Sequence, residues 1–398
     1  MVVQHNMQAA NANRMLNITT SAQSKSTEKL SSGYRINRAA DDAAGLTISE
    51  KMRKQIKGLD RASTNAEDGV SAVQTAEGAL TEVHSMLQRM NELATQSANG
   101  TNSSTDRKAI QDEIDQLTTE IDRVSETTKF NETYLLKGDG AEKAHNVNAH
   151  DAGLDGVTLT DKGNEVEVTL KTLNAGDKVS IAGKNYTIGG VTADDTKADG
   201  IDDNDSTVIT AGKAYQLQTA EIVKASSIGT DTAATVKANA GNTNADYATA
   251  TTTFTLNKGT VSYKDSLSFN LHVGADADMT NKITVNIDSM NSAGLGVKGI
   301  KADTEQDATY AIDAIADAIS TVSSQRSSLG AVQNRLEHTI NNLDNVVENT
   351  TSAESRIRDT DMAEEMVNYS KNNILAQAGQ SMLAQANQSN QGVLSLLQ

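Results

Sequence analysis

The sequence predicts an α+β fold: a long antiparallel helical bundle or coiled coil built from both chain ends, with an inserted β-rich domain. Three observations carry this prediction. Apolar residues recur at helical spacing before residue 141 and again after residue 301, and the stretch between is rich in glycine and alternating apolar residues. Only 3% of the 398 residues are aromatic. Seams between helices need few large side chains because each layer is narrow.

The strongest signal is the spacing of apolar residues in the first long helix, which we expect from Ala43 to about Asn99. Their mean spacing of 3.5 residues is the heptad period of a coiled coil, whereas a lone surface helix has a period of about 3.6. The seam residues are Met52, Ile56, Leu59, Ala62, Ala66, Val70, Val73, Ala76, Leu80, Val83, Leu87, Met90 and Ala94.

Two further helices complete the predicted bundle. A turn and a capping box formed by Ser103 and Asp106 start the second helix, and the short connection makes it antiparallel to the first. Its apolar residues are Ile110, Ile114, Leu117, Ile121 and Val124. The third helix, near the other chain end, repeats the seam pattern with Ile312, Ile315, Ile319, Val322, Leu329, Val332, Leu336, Ile340, Leu343 and Val346.

Residues from about 141 to 301 have a different composition. They hold 16 of the 27 glycines, and several short runs alternate with period two, as strands with one buried face do. Examples are Val166/Val168/Leu170, Val179/Ile181, Tyr186/Ile188, Phe254/Leu256, Val261/Tyr263 and Leu267/Phe269/Leu271/Val273. We expect hairpin turns at residues 183–184 (GK) and 257–259 (NKG).

The two extreme ends of the chain are amphipathic. Gln, Asn and Ser surround the apolar residues Met7, Met15, Leu16, Ile18, Leu30 and Ile36 at one end, and Met362, Met366, Ile374, Leu375, Met382, Leu383, Val393, Leu394, Leu396 and Leu397 at the other. In a monomer these segments have little to pack against except each other. Association of identical chains is the simplest way to cover them.

Composition and motifs argue against several function classes. A net charge of −17 disfavours binding to nucleic acid or anionic membrane, and the absence of Cys excludes disulfides and thiolate chemistry. We expect no Sec-type signal peptide and no membrane span. The glycines at 294–299 and the acidic residues at 199–206 are better explained as a connector and a solvated loop than as nucleotide or calcium sites. The sequence therefore predicts no enzyme, cofactor or metal site.

Several motifs at both ends resemble those of bacterial flagellins. The N-terminal half contains LSSGYRINRAADDAAG (30–45) and LQRMNELATQSANGTN (87–102). The C-terminal half contains SSLGAVQNRLEHTINNL (327–343), AESRIRDTDMAEEM (353–366) and ILAQAGQSMLAQANQSNQGVLSLLQ (374–398). The resemblance covers about 230 residues in order and at family spacing. The region from about 141 to 265 matches no family motif, as is expected of the family's variable insert.

The resemblance implies five segments. They are an inner-core helix with its spoke (1–42), the first half of the bundle (43–140), a variable β-rich outer domain (141–265), the second half of the bundle with its lead-in strands (266–354) and a C-terminal inner-core helix (355–398).

The resemblance also implies roles for residues in these segments. The terminal helices are expected to polymerise through the apolar residues Met7, Leu16, Leu30, Ile36, Leu375, Leu383, Leu394 and Leu397. The spoke is expected to join the inner helix to the bundle at Gly33, Tyr34, Arg35, Asp41 and Asp42. Glycine permits the bend there, and acidic residues suit the N-terminus of the next helix.

The implied function is that of a secreted structural subunit, which assembles into the extracellular flagellar filament used for motility. Such a homopolymer forms when one face of each chain contacts a different face of the next, because such contacts can add subunits indefinitely instead of closing into a dimer or ring. Expected partners are further copies of the chain, an export chaperone and the export apparatus, and the filament cap and junction proteins. An animal innate immune receptor is expected to bind Arg89, Leu93 and Glu113, which we take to be an exposed patch. The alternatives are a hook-filament junction protein and a secreted coiled-coil adhesin.

Overall fold

The computed structural model describes residues 6–189, 200–202, 205–237 and 251–395, with side chains described as far as residue 388. Its helices are α1 (Met7–Ser32), α2 (Ala43–Ser97), α3 (Ser104–Thr127), α4 (Ala211–Ala225), α5 (Glu305–Arg358) and α6 (Met362–Ser395), with one 3-10 turn at Met279–Asn281. The strands are β1 (Lys129–Phe130), β2 (Thr133–Tyr134), β3 (Asp139–Asn146), β4 (Thr158–Asp161), β5 (Glu165–Thr169), β6 (Lys178–Ile181), β7 (Lys184–Ile188), β8 (Val208–Ile209), β9 (Thr235–Val236), β10 (Thr253–Asn257), β11 (Thr260–Asp265), β12 (Leu267–His272) and β13 (Lys282–Ile287).

The chain divides into two compact units. The terminal unit consists of Met1–Ala66, His272–Lys282 and His338–Gln398, and the central unit consists of Glu67–Leu271 and Ile283–Glu337. Both boundaries in the bundle fall inside helices, because α2 and α5 each contribute to both units. The division into five segments stays a prediction.

The central unit is built on the predicted seams. Seam residues of α2, α3 and α5, among them Leu87, Ile114 and Leu329, are fully buried in one apolar cluster. Polar bonds hold the connector that leads into α5. The Ser97 hydroxyl donates to the Ala302 carbonyl at 2.6 Å, and Gln111 accepts from the Ala302 N–H at 2.6 Å. Helix α3 begins with the expected capping box, in which the Ser103 hydroxyl accepts from the Asp106 N–H.

The terminal unit has a smaller core. Leu59, Ala62 and Leu343 form a buried apolar cluster, against which Ala275 packs. The backbone at Ala275 lies so close to α2 that a Cβ at Gly58 would be 3.0 Å from its Cα. Helix α1 packs against α6. The small residues Gly58, Ala62 and Ala275 allow the backbones to approach closely, so this core needs few large apolar side chains.

Strand pairing in the inserted region agrees with one predicted turn. Strands β6 and β7 form an antiparallel hairpin joined by Ala182 and Gly183, both with positive φ (56° and 71°). Two left-handed residues match the twist of the flanking strands. The predicted hairpin is therefore present, but its turn residues are Ala182 and Gly183, one position earlier than the predicted 183–184.

The hairpin predicted at 257–259 is wrong. Strand β10 pairs with β5 and β9 in a four-stranded sheet, whereas β11 pairs with β3 in a separate two-stranded sheet. The intervening backbone also bonds elsewhere: the Lys258 N–H donates to Asn164, and the Gly259 carbonyl accepts from Val147. Alternation identified both strands, but it carries no information on which strand each one joins.

Helix α4 lies in a region where only strands were expected. Its buried residues include Ala214, Tyr215, Ile222 and Ala225, and Thr210 caps its N-terminus. This spacing of roughly one helical turn, after a capping threonine, is the signal that could have revealed the helix. The helix packs into a second apolar cluster with strands β5, β7 and β10.

Candidate functional site

The break between α1 and α2 is the centre of the candidate site, which we call the joint (residues 33–42 and 357–361). Gly33 ends α1 in the left-handed conformation (φ 77°), and its N–H donates to the Lys29 carbonyl at 2.8 Å. The Gly33 carbonyl then accepts from the Thr360 N–H at 3.0 Å. The Arg35 N–H donates to the Arg358 carbonyl at 2.7 Å. The break in the helix pattern is thus paired, strand-like, with the break between α5 and α6.

Tyr34 lies at the middle of the joint. The guanidinium carbon of Arg358 is 4.8 Å from the centre of the Tyr34 ring, and that of Arg53 is 5.9 Å away. Both arginines also form ion pairs, Arg358 with Glu50 at 3.2 Å and Arg53 with Glu354 at 3.5 Å. A cation over an aromatic face is attracted by the ring quadrupole. These contacts connect α2 and α5 to the joint.

The two adjacent aspartates have different tasks. The Asp42 carboxylate accepts from the Gly45 N–H at 2.8 Å and its carbonyl accepts from the Leu46 N–H, so it caps α2 as expected. The Asp41 carboxylate instead accepts from the N–H groups of Asn37 and Arg38. The hydrogen bond from the Arg38 backbone is the main cause that lowers the pKa of Asp41. Asp41 therefore stabilises the loop, and Asp42 starts the helix.

The residues predicted to polymerise divide into two groups. Met7 is 72% exposed and Leu375 is 47% exposed, whereas Leu16, Leu30 and Leu383 are half-buried. The groove between α1 and α6 has a volume of about 700 Å³ and is lined by Met15, Leu16, Leu375, Gly379 and Met382, among others.

The other three residues predicted to polymerise are not seen on the exposed apolar surface. Ile36 is only 1% exposed, because it packs inside the joint near Gly45, so it is not part of the exposed apolar surface. The side chain of Leu394 lies outside the described part of α6, and Leu397 lies outside the described residues.

The exposed apolar surface extends beyond the residues expected to polymerise. Ile18 and Ile374 were predicted only as apolar residues of the amphipathic ends, and sequence reasoning missed Val367. Val367 is 68% exposed on α6, and Ile374, one heptad later, is 67% exposed. Their spacing of seven residues was the available signal. With Ile18 of α1, which is 58% exposed, they enlarge the apolar face of the terminal helices.

Of the three residues of the expected patch on α2 and α3, two are exposed and one is buried. Arg89 donates from Nε to Glu113 at 2.9 Å and from Nη1 to Glu92 at 3.2 Å, and all three side chains are exposed. The hydrogen bond to Glu113, with that to Glu92, raises the pKa of Arg89. Leu93 is not exposed: it retains 2% of its accessible surface within the central apolar cluster. Leu93 adjoins the seam residue Ala94 and packs in the same apolar cluster, which explains this burial. Glu92 is a neighbour that sequence reasoning missed.

Within the described ranges, no three His, Asp or Glu side chains are grouped so that they could hold a metal ion. None of the helices in that part of the chain is long and apolar enough to cross a membrane.

Known proteins match the chain at both ends and along its whole length. The bacterial flagellin N-terminal helical region matches residues 3–141, and the bacterial flagellin C-terminal helical region matches residues 312–397. A flagellin of Clostridium tyrobutyricum is 45% identical over 417 residues, covering 98% of this chain and 100% of that protein. Flagellins of Bacillus subtilis (strain 168) and Halalkalibacterium halodurans are 40% and 39% identical to it, and each alignment covers 100% of this chain and 100% of the relative. The chain therefore belongs to the bacterial flagellin family, and it is a structural subunit that polymerises into the flagellar filament of motile cells.

Proposed function

We propose that α1 and α6 form the polymerising surface, with the joint holding them in place. The observation that carries the proposal is the apolar face of these helices, where Met7, Ile18, Val367 and Ile374 are each more than half exposed. Full burial of one such side chain stabilises an association by about 1.5–3 kcal/mol. Burial of several of these side chains against the next subunit would give a large favourable free energy of assembly.

Electron microscopy of the purified chain tests this proposal, after seeding with filament fragments or adding salt. The full-length chain is expected to form long tubes, and a chain lacking residues 356–398 is expected to form none. A full-length chain that folds but stays monomeric under every condition would favour the alternatives, a hook-filament junction protein or a secreted coiled-coil adhesin.

Single substitutions locate the surface more sharply. Ile374→Asp places a charge on the apolar face of α6, where burial without a partner is costly, so elongation is expected to stop. Met279→Asp is the matched control, because Met279 is 73% exposed but lies outside α1 and α6. Equal elongation by both variants would show that α6 is not the polymerising surface.

The remaining partners follow from the same role. An export chaperone and the export apparatus would receive the chain before its terminal helices are packed in a filament. The filament cap and the junction proteins would occupy the two ends of the polymer. Release into the medium tests this part: the chain lacking residues 356–398 is expected to be exported less than the full chain from cells that contain the apparatus.

We also propose that an animal innate immune receptor binds the exposed pair Arg89 and Glu113. The two side chains lie on adjacent helices and are about half exposed, so a partner could reach both. Leu93, buried beneath the surface, would support the patch rather than touch the receptor. Arg89→Ala and Glu113→Ala are expected to weaken receptor binding by about tenfold or more, as is typical of arginine anchors.

Arg123→Ala is the matched control for that experiment. Arg123 is also an exposed arginine, paired with Glu120 on α3. Its removal is expected to leave receptor binding unchanged. If Arg89→Ala behaves like Arg123→Ala, the receptor does not use this patch.

A further inference from the structure

The methionines of this chain are unevenly distributed between core and surface. Met90 and Met290 are fully buried in the central cluster. The exposed methionines of the described residues are Met7, Met15, Met279, Met362, Met366 and Met382, with 72%, 55%, 73%, 49%, 52% and 61% of their surface accessible. All of these except Met279 lie on α1 or α6.

The positions of these thioethers matter for packing. Met15 of α1 and Met382 of α6 line the same groove, which also contains the apolar side chains of Leu16 and Leu375. Met362 and Met366 lie one turn apart at the start of α6 and so share a face. A change in the polarity of these sulfur atoms would therefore change the apolar face of both terminal helices together.

Thioether sulfur is the only sulfur that this chain contains, since it has no cysteine. Oxidants that would otherwise react with a thiol have methionine as their sulfur target. Oxidation turns the flexible apolar side chain into a polar, chiral sulfoxide, which disrupts methionine-rich apolar contacts.

We propose that the five exposed methionines of α1 and α6 are a reversible oxidation site, which switches the free subunit between assembly-competent and assembly-incompetent forms. The oxidant is a peroxide. The sulfur lone pair attacks one peroxide oxygen, the O–O bond breaks and an S–O bond forms. The sulfur loses two electrons, and hydrogen peroxide is reduced to water. This inference rests on the proposed role of α1 and α6 in polymerisation.

The accessibility of the five methionines is expected to differ between the free subunit and the filament. In the free subunit the five sulfur atoms lie on accessible side chains, and burial against the next subunit would exclude the oxidant. Filaments are therefore expected to be protected and free subunits to be sensitive. Met90 and Met290 are shielded by the core in both states and act as internal references.

The first experiment treats the purified subunit and the finished filament with hydrogen peroxide and maps the added oxygen by peptide mass spectrometry. The five terminal methionines are expected to be oxidised at least roughly tenfold faster in the subunit than in the filament. Met90 and Met290 are expected to react slowly in both. Equal rates at the terminal and core methionines of the folded subunit would overturn the inference.

The second experiment measures seeded elongation after the peroxide has been removed. The oxidised chain is expected to elongate at least roughly tenfold more slowly, and methionine sulfoxide reductases are expected to restore elongation. A chain in which Met7, Met15, Met362, Met366 and Met382 are all replaced by Leu keeps the apolar face. Its elongation rate is expected to be the same before and after peroxide treatment, whatever that rate is, whereas the rate of the unmodified chain is expected to fall.

Met279→Leu is the matched control, since Met279 is equally exposed but is not on a terminal helix. This variant is expected to remain as sensitive to peroxide as the unmodified chain. The inference is wrong if a chain with five terminal sulfoxides elongates normally. Failure of the untreated chain to elongate would instead count against the proposed function, so the two failures are distinguishable.

Discussion

The guanidinium of Arg358 covers the ring of Tyr34, with 4.8 Å between its carbon and the ring centre. The same two chain segments are paired through their backbones, where the Arg35 N–H donates to the Arg358 carbonyl. Residues more than three hundred positions apart in the sequence thus close the joint. The terminal helices leave the bundle from this point, so the joint is where the ends of the chain are held together.

Removal of the Tyr34 ring should loosen the joint. A cation–π contact at an exposed site contributes about 0.5–1 kcal/mol, so Tyr34→Leu is expected to speed amide hydrogen exchange at Arg35 and Thr360 by up to about fivefold. Tyr134→Leu is the control, because Tyr134 is an exposed tyrosine that faces Lys137 at 5.7 Å elsewhere in the chain. Unchanged exchange in Tyr34→Leu would mean that backbone pairing alone holds the joint.

The conformation of Gly33 gives a test based on backbone strain. A Cβ at this position would meet nothing within 4 Å, yet φ is +77°, which side chains other than glycine and asparagine rarely adopt. Gly33→Ala is therefore expected to lower the free energy of unfolding by about 1 kcal/mol, and Gly33→Asn by less.

Gly330→Ala is the opposite control for Gly33→Ala. Gly330 lies inside α5, where a Cβ also has open space but the backbone is helical. Alanine is expected to raise the free energy of unfolding there by about 0.4–1 kcal/mol. Denaturant titration measures both changes, and a loss of equal size at the two glycines would refute the strain argument.

Leu93 and Arg89 should show opposite phenotypes. Leu93 is buried, so Leu93→Ala is expected to lower the free energy of unfolding by about 2–5 kcal/mol. Arg89→Ala breaks two exposed ion pairs, with Glu113 and Glu92, and exposed ion pairs contribute little to the free energy of unfolding. Comparison of chemical unfolding curves with receptor binding for each variant separates the structural role of Leu93 from the surface role of Arg89.

The pKa of Asp41 predicts a pH dependence for the loop before α2. Backbone hydrogen bonds from Arg38 and Asn37 hold the folded-state pKa below the unfolded value of about 3.9. The stabilisation is therefore fully present above the unfolded pKa, and it is lost as the pH falls through the folded-state pKa. NMR titration of the Asp41 carboxyl group is expected to give a midpoint below about 3.9, the value of an unperturbed aspartate. A midpoint at or above that value would show that the two backbone hydrogen bonds do not stabilise the carboxylate.

Asp41→Asn provides the companion measurement. The amide keeps an oxygen acceptor but does not titrate, so the protection factors of the Asn37 and Arg38 amides, which correct for the intrinsic pH dependence of exchange, are expected to become independent of pH in this range. Asp42→Asn is expected to weaken the cap of α2 instead, since Asp42 accepts from the Gly45 N–H. Equal pH profiles in the unmodified chain and in Asp41→Asn would exclude Asp41 as the titrating group.

The sequence by itself determined the features that depend on neighbours along the chain. The heptad spacing from Met52 to Ala94 specified α2, and the pair Ser103 and Asp106 specified the start of α3. The GK dipeptide at 183–184 indicated a hairpin, although its turn lies one residue earlier. Each of these rests on interactions within about one or two turns or across a tight turn, so the local pattern contains all the information needed.

The tertiary structure decided everything that depends on contacts between distant segments. The tertiary fold placed β10 beside β5 rather than β11, buried Leu93 in the central apolar cluster, and gave Asp41 and Asp42 different hydrogen-bond partners. It also paired Gly33 with Thr360 through their backbones. The break between α1 and α2, which the sequence shows only as a loop, is therefore hydrogen-bonded to the break between α5 and α6. Periodicity states which face of an element is buried, but the partner that buries it is chosen by packing over the whole chain, because many partners satisfy the same local pattern.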